Sequence, residues 1–155
     1  AALAASIAGS ALHFLYVVLP NPLTALISPI NESVWEHLKL LYFPTLAAAL
    51  VLSWREARPH RLWSGFFVAL LAMPLVLTGW YYLLAAGFGV HSLVLDIVSY
   101  FLTMFFGFFL AYRLREGGRW EAAAPWLLLP AALYGAALIL FTFAAPALPI
   151  FQPPV

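Results

Sequence analysis

The chain of 155 residues contains no cysteine, and only 8% of its residues are charged, seven basic and six acidic, for a formal charge of +1. Without cysteine there is no disulfide framework, thiolate nucleophile, iron–sulfur cluster or Cys-ligated zinc. Without a basic excess there is no face to meet a nucleic-acid backbone, so nucleic acid is set aside as a partner. Soluble domains carry about 25% charged residues, and this chain has too few to coat a surface facing water. Any chemistry must come from histidines, carboxylates and hydroxyls. What is abundant is apolar: 65% of residues are hydrophobic, with 13 Phe, 6 Trp and 7 Tyr. That is the composition of an integral membrane protein.

A hydrocarbon crossing takes about 20 apolar residues, which leaves room for about five. The punctuation gives an all-α bundle with crossings near Ala1–Leu19, Glu32–Trp54, Leu62–Ala86, His91–Tyr112 and Ala122–Ala144. The breaks fall at Pro20-Asn21-Pro22, at the basic stretch Arg55–Arg61, at Gly87-Phe88-Gly89 and at the polar stretch Arg113–Glu121. Residues 1–144 read as a single transmembrane domain, and 145–155 as a Pro-rich extracytoplasmic tail lying along the surface as extended chain. The chain does not begin with Met, so a truncated or processed start is open; the first segment is taken as a true crossing and not a signal peptide.

Six of the seven basic residues lie in two loops, Arg55, Arg58 and Arg61 after the second segment and Arg113, Arg115 and Arg119 after the fourth. Short basic loops stay in the cytoplasm, which places the N-terminus inside and the C-terminus outside a membrane expected to be a bacterial inner (plasma) membrane.

The dense polar string Asn31-Glu32-Ser33-Val34-Trp35-Glu36-His37-Leu38-Lys39 opens the second segment. From Leu40 to Trp54 a helix covers about 22 Å, short of the roughly 30 Å core, so the string must enter the membrane by a turn or more. Helical spacing puts Glu32, Glu36 and Lys39 on one face and Ser33 and His37 on an adjacent one, with Pro44 expected to kink the helix below. At the same outer level lie His13 and Tyr16, then Thr78, Tyr81 and Tyr82, and His91, Ser92 and Asp96. Ionisable groups at such depth face one another or a water-filled cavity. Simpler roles compete: Asn31 or Ser33 as a helix cap, Glu32 and Glu36 as dipole partners, Tyr81 and Tyr82 as interfacial belt residues.

The stretches Leu12-His13-Phe14 through Asn21-Pro22, Ile30 through Pro44 and His91 through Arg113 resemble a family of small bacterial integral-membrane proteins known only as a domain of unknown function. That resemblance implies an architecture and no activity. Locally, Ser33-Val34-Trp35-Glu36-His37-Leu38 is similar to the motif of the superfamily uniting alkaline ceramidases with progestin and adiponectin receptors. The similarity implies zinc ligation by His37, support of a metal-bound water by Ser33, and a role for Asp96 in place of the family's Asp on a following helix. The family's last-helix His-x-x-x-His pair is missing here, so His13 and His91 would complete the ligand sphere.

The chemistry these residues suggest is a zinc-dependent hydrolase acting near the outer leaflet on a lipid-like amide or ester that enters from the bilayer. Its metal ligands would come from His13, His37, His91 and Asp96, with Glu32 available, Glu36 or Glu32 as general base, and Tyr81 or Tyr82 donating to an oxyanion. Other readings use the same residues: a proton- or ion-coupled transport or ligand-binding cavity, an accessory subunit of a larger membrane complex, a homo-oligomer, or a haem site, which the nearby acids suit less well. Membrane lipids and a small amphiphile are the expected partners.

Overall fold

The computed structural model describes residues 1–56, 59–115 and 118–153, and among them the regular structure is helical throughout, with no strand. The Arg58 and Arg119 side chains, part of the orientation argument, and Pro154 and Val155 of the tail lie outside the described residues.

Six α-helices follow in order: α1 (Ala2–Val18), α2 (Pro22–Ile27), α3 (Val34–Ser53), α4 (Pro59–Tyr82), α5 (Leu93–Leu114) and α6 (Gly118–Phe143). Five of them match the five apolar segments to within a few residues. Among the described residues, three spans are long and apolar enough to cross a membrane: Pro59–Gly87, Leu93–Leu114 and Ala122–Phe143. They fit a membrane protein, and their outward faces carry fully apolar side chains such as Leu75, Leu102 and Leu129.

The short α2 has no counterpart in the apolar pattern. It forms because Asn21 caps it, its side-chain oxygen accepting from the backbone N–H of Leu23 and Thr24, while the Thr24 hydroxyl meets the Asn21 N–H. Pro22 stands at the first helical position, where its missing N–H costs nothing. The expected turn after α4 exists, but the helix first widens into a single π turn over Leu83–Gly87. Gly89 then reverses the chain with φ of 65°, a conformation open to glycine. Helix α3 starts at Val34, with Ser33 as its N-cap, and runs on through Pro44.

Helix α4 is the centre of the bundle, packed against α3, α5 and α6, while α1 lies across α3 and α5. Leu41, Leu70, Met73, Met104 and Leu138 fill the core. Small residues let the helices close. A Cβ on Gly65 would fall on the Ala111 carbonyl of α5, and one on Gly9 of α1 would meet the Tyr100 hydroxyl and the Leu40 carbonyl. The tail turns back: a 3-10 turn at Pro149–Phe151 seats Phe151 against Trp35, 4.8 Å between ring centroids, and against Phe141. It thereby covers the start of α3.

Candidate functional site

A polar hydroxyl, an ammonium and a carboxylate fix the end of the bundle where α3 begins. The Ser28 hydroxyl inserts into the last turns of α1, donating to the Leu12 carbonyl at 2.6 Å and accepting from the Tyr16 N–H at 3.1 Å. The Lys39 ammonium, wholly buried, donates to the carbonyls of Ala25 (2.8 Å) and Ser28 (3.3 Å) and to Glu36 Oε2 (2.7 Å). Glu36 in turn accepts from the Ile30 N–H (3.0 Å) and, on its other oxygen, from the Thr142 hydroxyl of α6 (3.1 Å). A buried ion pair survives only with its remaining hydrogen-bond capacity filled, and here it is filled by α2, the loop that follows it and α6. The loop that leads to Glu32 is thus clamped to α3.

Three side chains meet above this clamp: His13 from the last turns of α1, Glu32 from the loop, and His37 from the first turn of α3. Their ligand atoms all lie within 4.8 Å of one another, the one group of three or more His, Asp or Glu this close among the described residues. Glu32 Oε2 is 3.4 Å from His37 Nε2 and 3.9 Å from His13 Nε2, and the two imidazole rings pack edge to face at 5.1 Å. Both rings are half-buried and the carboxylate is exposed.

The tautomer of His37 follows from its other nitrogen. Nδ1 lies 2.9 Å from the Ser33 carbonyl oxygen, which can only accept, so Nδ1 carries the proton. In the neutral ring Nε2 then turns a lone pair toward a carboxylate oxygen. Two acceptors at that distance are an arrangement that a metal ion would bridge. A backbone carbonyl behind the free nitrogen is also the arrangement that orients metal-ligating histidines. At bond lengths of about 2.0–2.2 Å, tetrahedral zinc holds its ligand atoms roughly 3.3 Å apart. The His37–Glu32 separation already matches, whereas His13, 3.9 Å from Glu32 in a group that spans up to 4.8 Å, has to approach by as much as about 1.5 Å. His13 Nδ1 is buried without a hydrogen-bond partner, so its ring lacks the support that His37 has.

The three residues line one side of a cavity of about 810 Å³ enclosed by α1, α3, α4, the turn after it and α5. His91, Asp96 and Tyr81 line the same cavity, but His91 and Asp96 stand outside the close group. Ser92 caps α5, and Asp96, in its first turn, is exposed. Tyr82 packs edge-on against Tyr81 and is not part of the lining. Ser33 is buried, its hydroxyl accepting from the Glu36 N–H as the cap of α3. Glu36 is also absent from the lining, its carboxylate committed to Lys39, Ile30 and Thr142. Of the residues singled out in the sequence, the structure therefore joins His13, Glu32 and His37, leaves His91, Asp96 and Tyr81 on the same cavity, and places Glu36, Ser33 and Tyr82 in supporting positions.

Two contributors carried little sequence signal. Tyr100 lines the cavity and donates to the Ser6 carbonyl at 3.0 Å, but in sequence it is one aromatic among many. Thr142 lies far along the chain from Glu36. The Glu36–Lys39 pair was legible in principle, because opposite charges three residues apart share a helix face.

The chain belongs to the Family of unknown function (DUF6512), whose model matches residues 3–155. No curated protein and no solved structure matches it.

Proposed function

We propose that the protein is an intramembrane metal-dependent hydrolase, with His13, Glu32 and His37 as the ligands of a zinc-type ion. The observation that carries this reading is the lone pair of His37 Nε2 facing Glu32 Oε2 at 3.4 Å with Nδ1 held by the Ser33 carbonyl. Two imidazoles and a carboxylate suit zinc and leave a position open for water. Bound there, the ion would supply an acidified water and polarise a carbonyl. Glu36 is locked in its ion pair, and the Tyr81 hydroxyl, on the same cavity, is a donor available to a developing oxyanion. The similarity of Ser33–Leu38 to the ceramidase and receptor motif supports the same assignment of His37.

The bundle is proposed to cross a bacterial inner membrane five times with the N-terminus in the cytoplasm. The grouping of Arg55, Arg61, Arg113 and Arg115 at the end away from the cavity supports that orientation, and it puts the site near the outer leaflet. An amide or ester amphiphile would enter from the bilayer.

Elemental analysis of untagged protein, beside His37→Ala and Glu32→Gln, tests this reading. Stoichiometric zinc in the wild type, lost in both variants, followed by hydrolysis of lipid amides or esters, is the expected result. Folded, monodisperse wild type that neither retains nor rebinds zinc would sink it.

A further inference from the structure

The cavity carries two carboxylates, Glu32 and Asp96, and no lysine or arginine among its lining residues. Of the basic side chains, Lys39 is buried on Glu36, and Arg115 lies over the Tyr112 ring at the far end of α5. Glu32 lies against His37 and His13, whereas Asp96 makes no ion pair among the described residues. Trp80, Tyr81, Tyr100 and Phe101 line the same space. Aromatic faces beside a carboxylate are the chemistry that recognises an ammonium group, and without a metal ion at the histidine group an anionic headgroup would meet two carboxylates with no lysine or arginine to offset them.

Asp96 also stands at a suitable height. It lies in the first turn of α5, just inside the helix start; Ser99 and Tyr100 follow on its own face, and Ile97 and Phe101 beside them line the cavity together with Leu40 and Leu77. The cavity thus sets two carboxylates among largely apolar and aromatic walls, with a volume in the range of small-molecule sites, about 300–1,000 Å³. We infer that this cavity selects an amphiphile with a cationic ammonium headgroup, seated on Asp96 among the aromatic rings with its chain along α5. The inference names the substrate class of the proposed hydrolase and rests on that reading for its catalytic meaning, but the selectivity itself is measurable without metal.

The test is equilibrium binding of radiolabelled hexadecylamine, hexadecanol and palmitate to the full chain in maltoside micelles containing EDTA. Hexadecylamine should bind at least about tenfold more tightly than either of the others. Asp96→Asn should erase that preference, whereas Asp96→Glu should keep it. Equal binding of the three chains, or an amine preference that survives Asp96→Asn, would overturn the inference. Should Asp96→Asn fail to fold, a photoactivatable diazirine analogue of hexadecylamine decides on the wild type. Crosslinks on the α4 and α5 residues of the cavity support the site, and crosslinks elsewhere remove it. Amine selectivity in a protein that binds no zinc would refute the hydrolase alone, and zinc binding without amine selectivity would refute this inference alone.

Discussion

Lys39 Nζ lies 2.7 Å from Glu36 Oε2, one turn away on α3, with both side chains withdrawn from solvent. The pair is a joint between segments: Lys39 holds two carbonyls of the α2 region, and Glu36 holds the Ile30 N–H and the Thr142 hydroxyl. Glu32 follows Ile30 by two residues, so the position of the proposed ligand depends on a charge pair beneath it.

Removing one member of this pair leaves a buried charge with no counterion. Lys39→Met or Glu36→Gln should each destabilise the protein by roughly 3–5 kcal/mol, read as the midpoint of unfolding in detergent. The double variant should cost less than the sum of the singles, because neither charge is left behind. Additive losses, or singles with unchanged midpoints, would show that the pair is not coupled.

The close group and its neighbours should separate in zinc titrations. His13→Ala, Glu32→Gln and His37→Ala each remove a ligand atom from the set that meets within 4.8 Å. His91→Ala lies outside that set and should leave affinity unchanged. If His91→Ala lost zinc as fully as His37→Ala, the ligand sphere would have to include α5.

Gly65 and Gly79 lie on the same helix in opposite circumstances. A Cβ on Gly65 would collide with the Ala111 backbone, whereas one on Gly79 meets open space. Gly65→Ala should therefore push α4 from α5 and cost about 1–3 kcal/mol. Gly79→Ala should be neutral or stabilise by up to about 1 kcal/mol through helix propensity. Thermal midpoints of the two variants, compared with wild type, check the sign of each.

Phe151 shields Trp35 together with Phe141 and Tyr134. Phe151→Ala should shift tryptophan emission to the red by admitting water to the Trp35 ring. The shift should vanish in a Trp35→Phe background. An unchanged spectrum in Phe151→Ala would mean that the tail does not rest on α3 in solution.

The sequence by itself determined the helices and the polar end. Apolar runs interrupted by Pro20, Pro22, Gly87 and Gly89 delimit segments, because a chain this poor in charge has to satisfy its backbone internally. Ser33 as a cap and Gly89 as a reversal were readable for the same local reason: each depends on its own few neighbours.

Only the tertiary structure decided which polar residues are partners. Helical spacing put Glu32 on the face of Glu36, but α3 begins at Val34, and Glu32, free of the helix, turns to His13 and His37. Spacing could not show that Glu36 is consumed by Lys39 and Thr142, or that His91 and Asp96 stand apart from the other histidines on a shared cavity. Local propensity acts over one turn of chain, whereas a ligand set depends on how helices distant in sequence approach. Here that approach is set by the contact of Gly9 with Tyr100 and Leu40 and by the hydroxyl of Ser28 within α1.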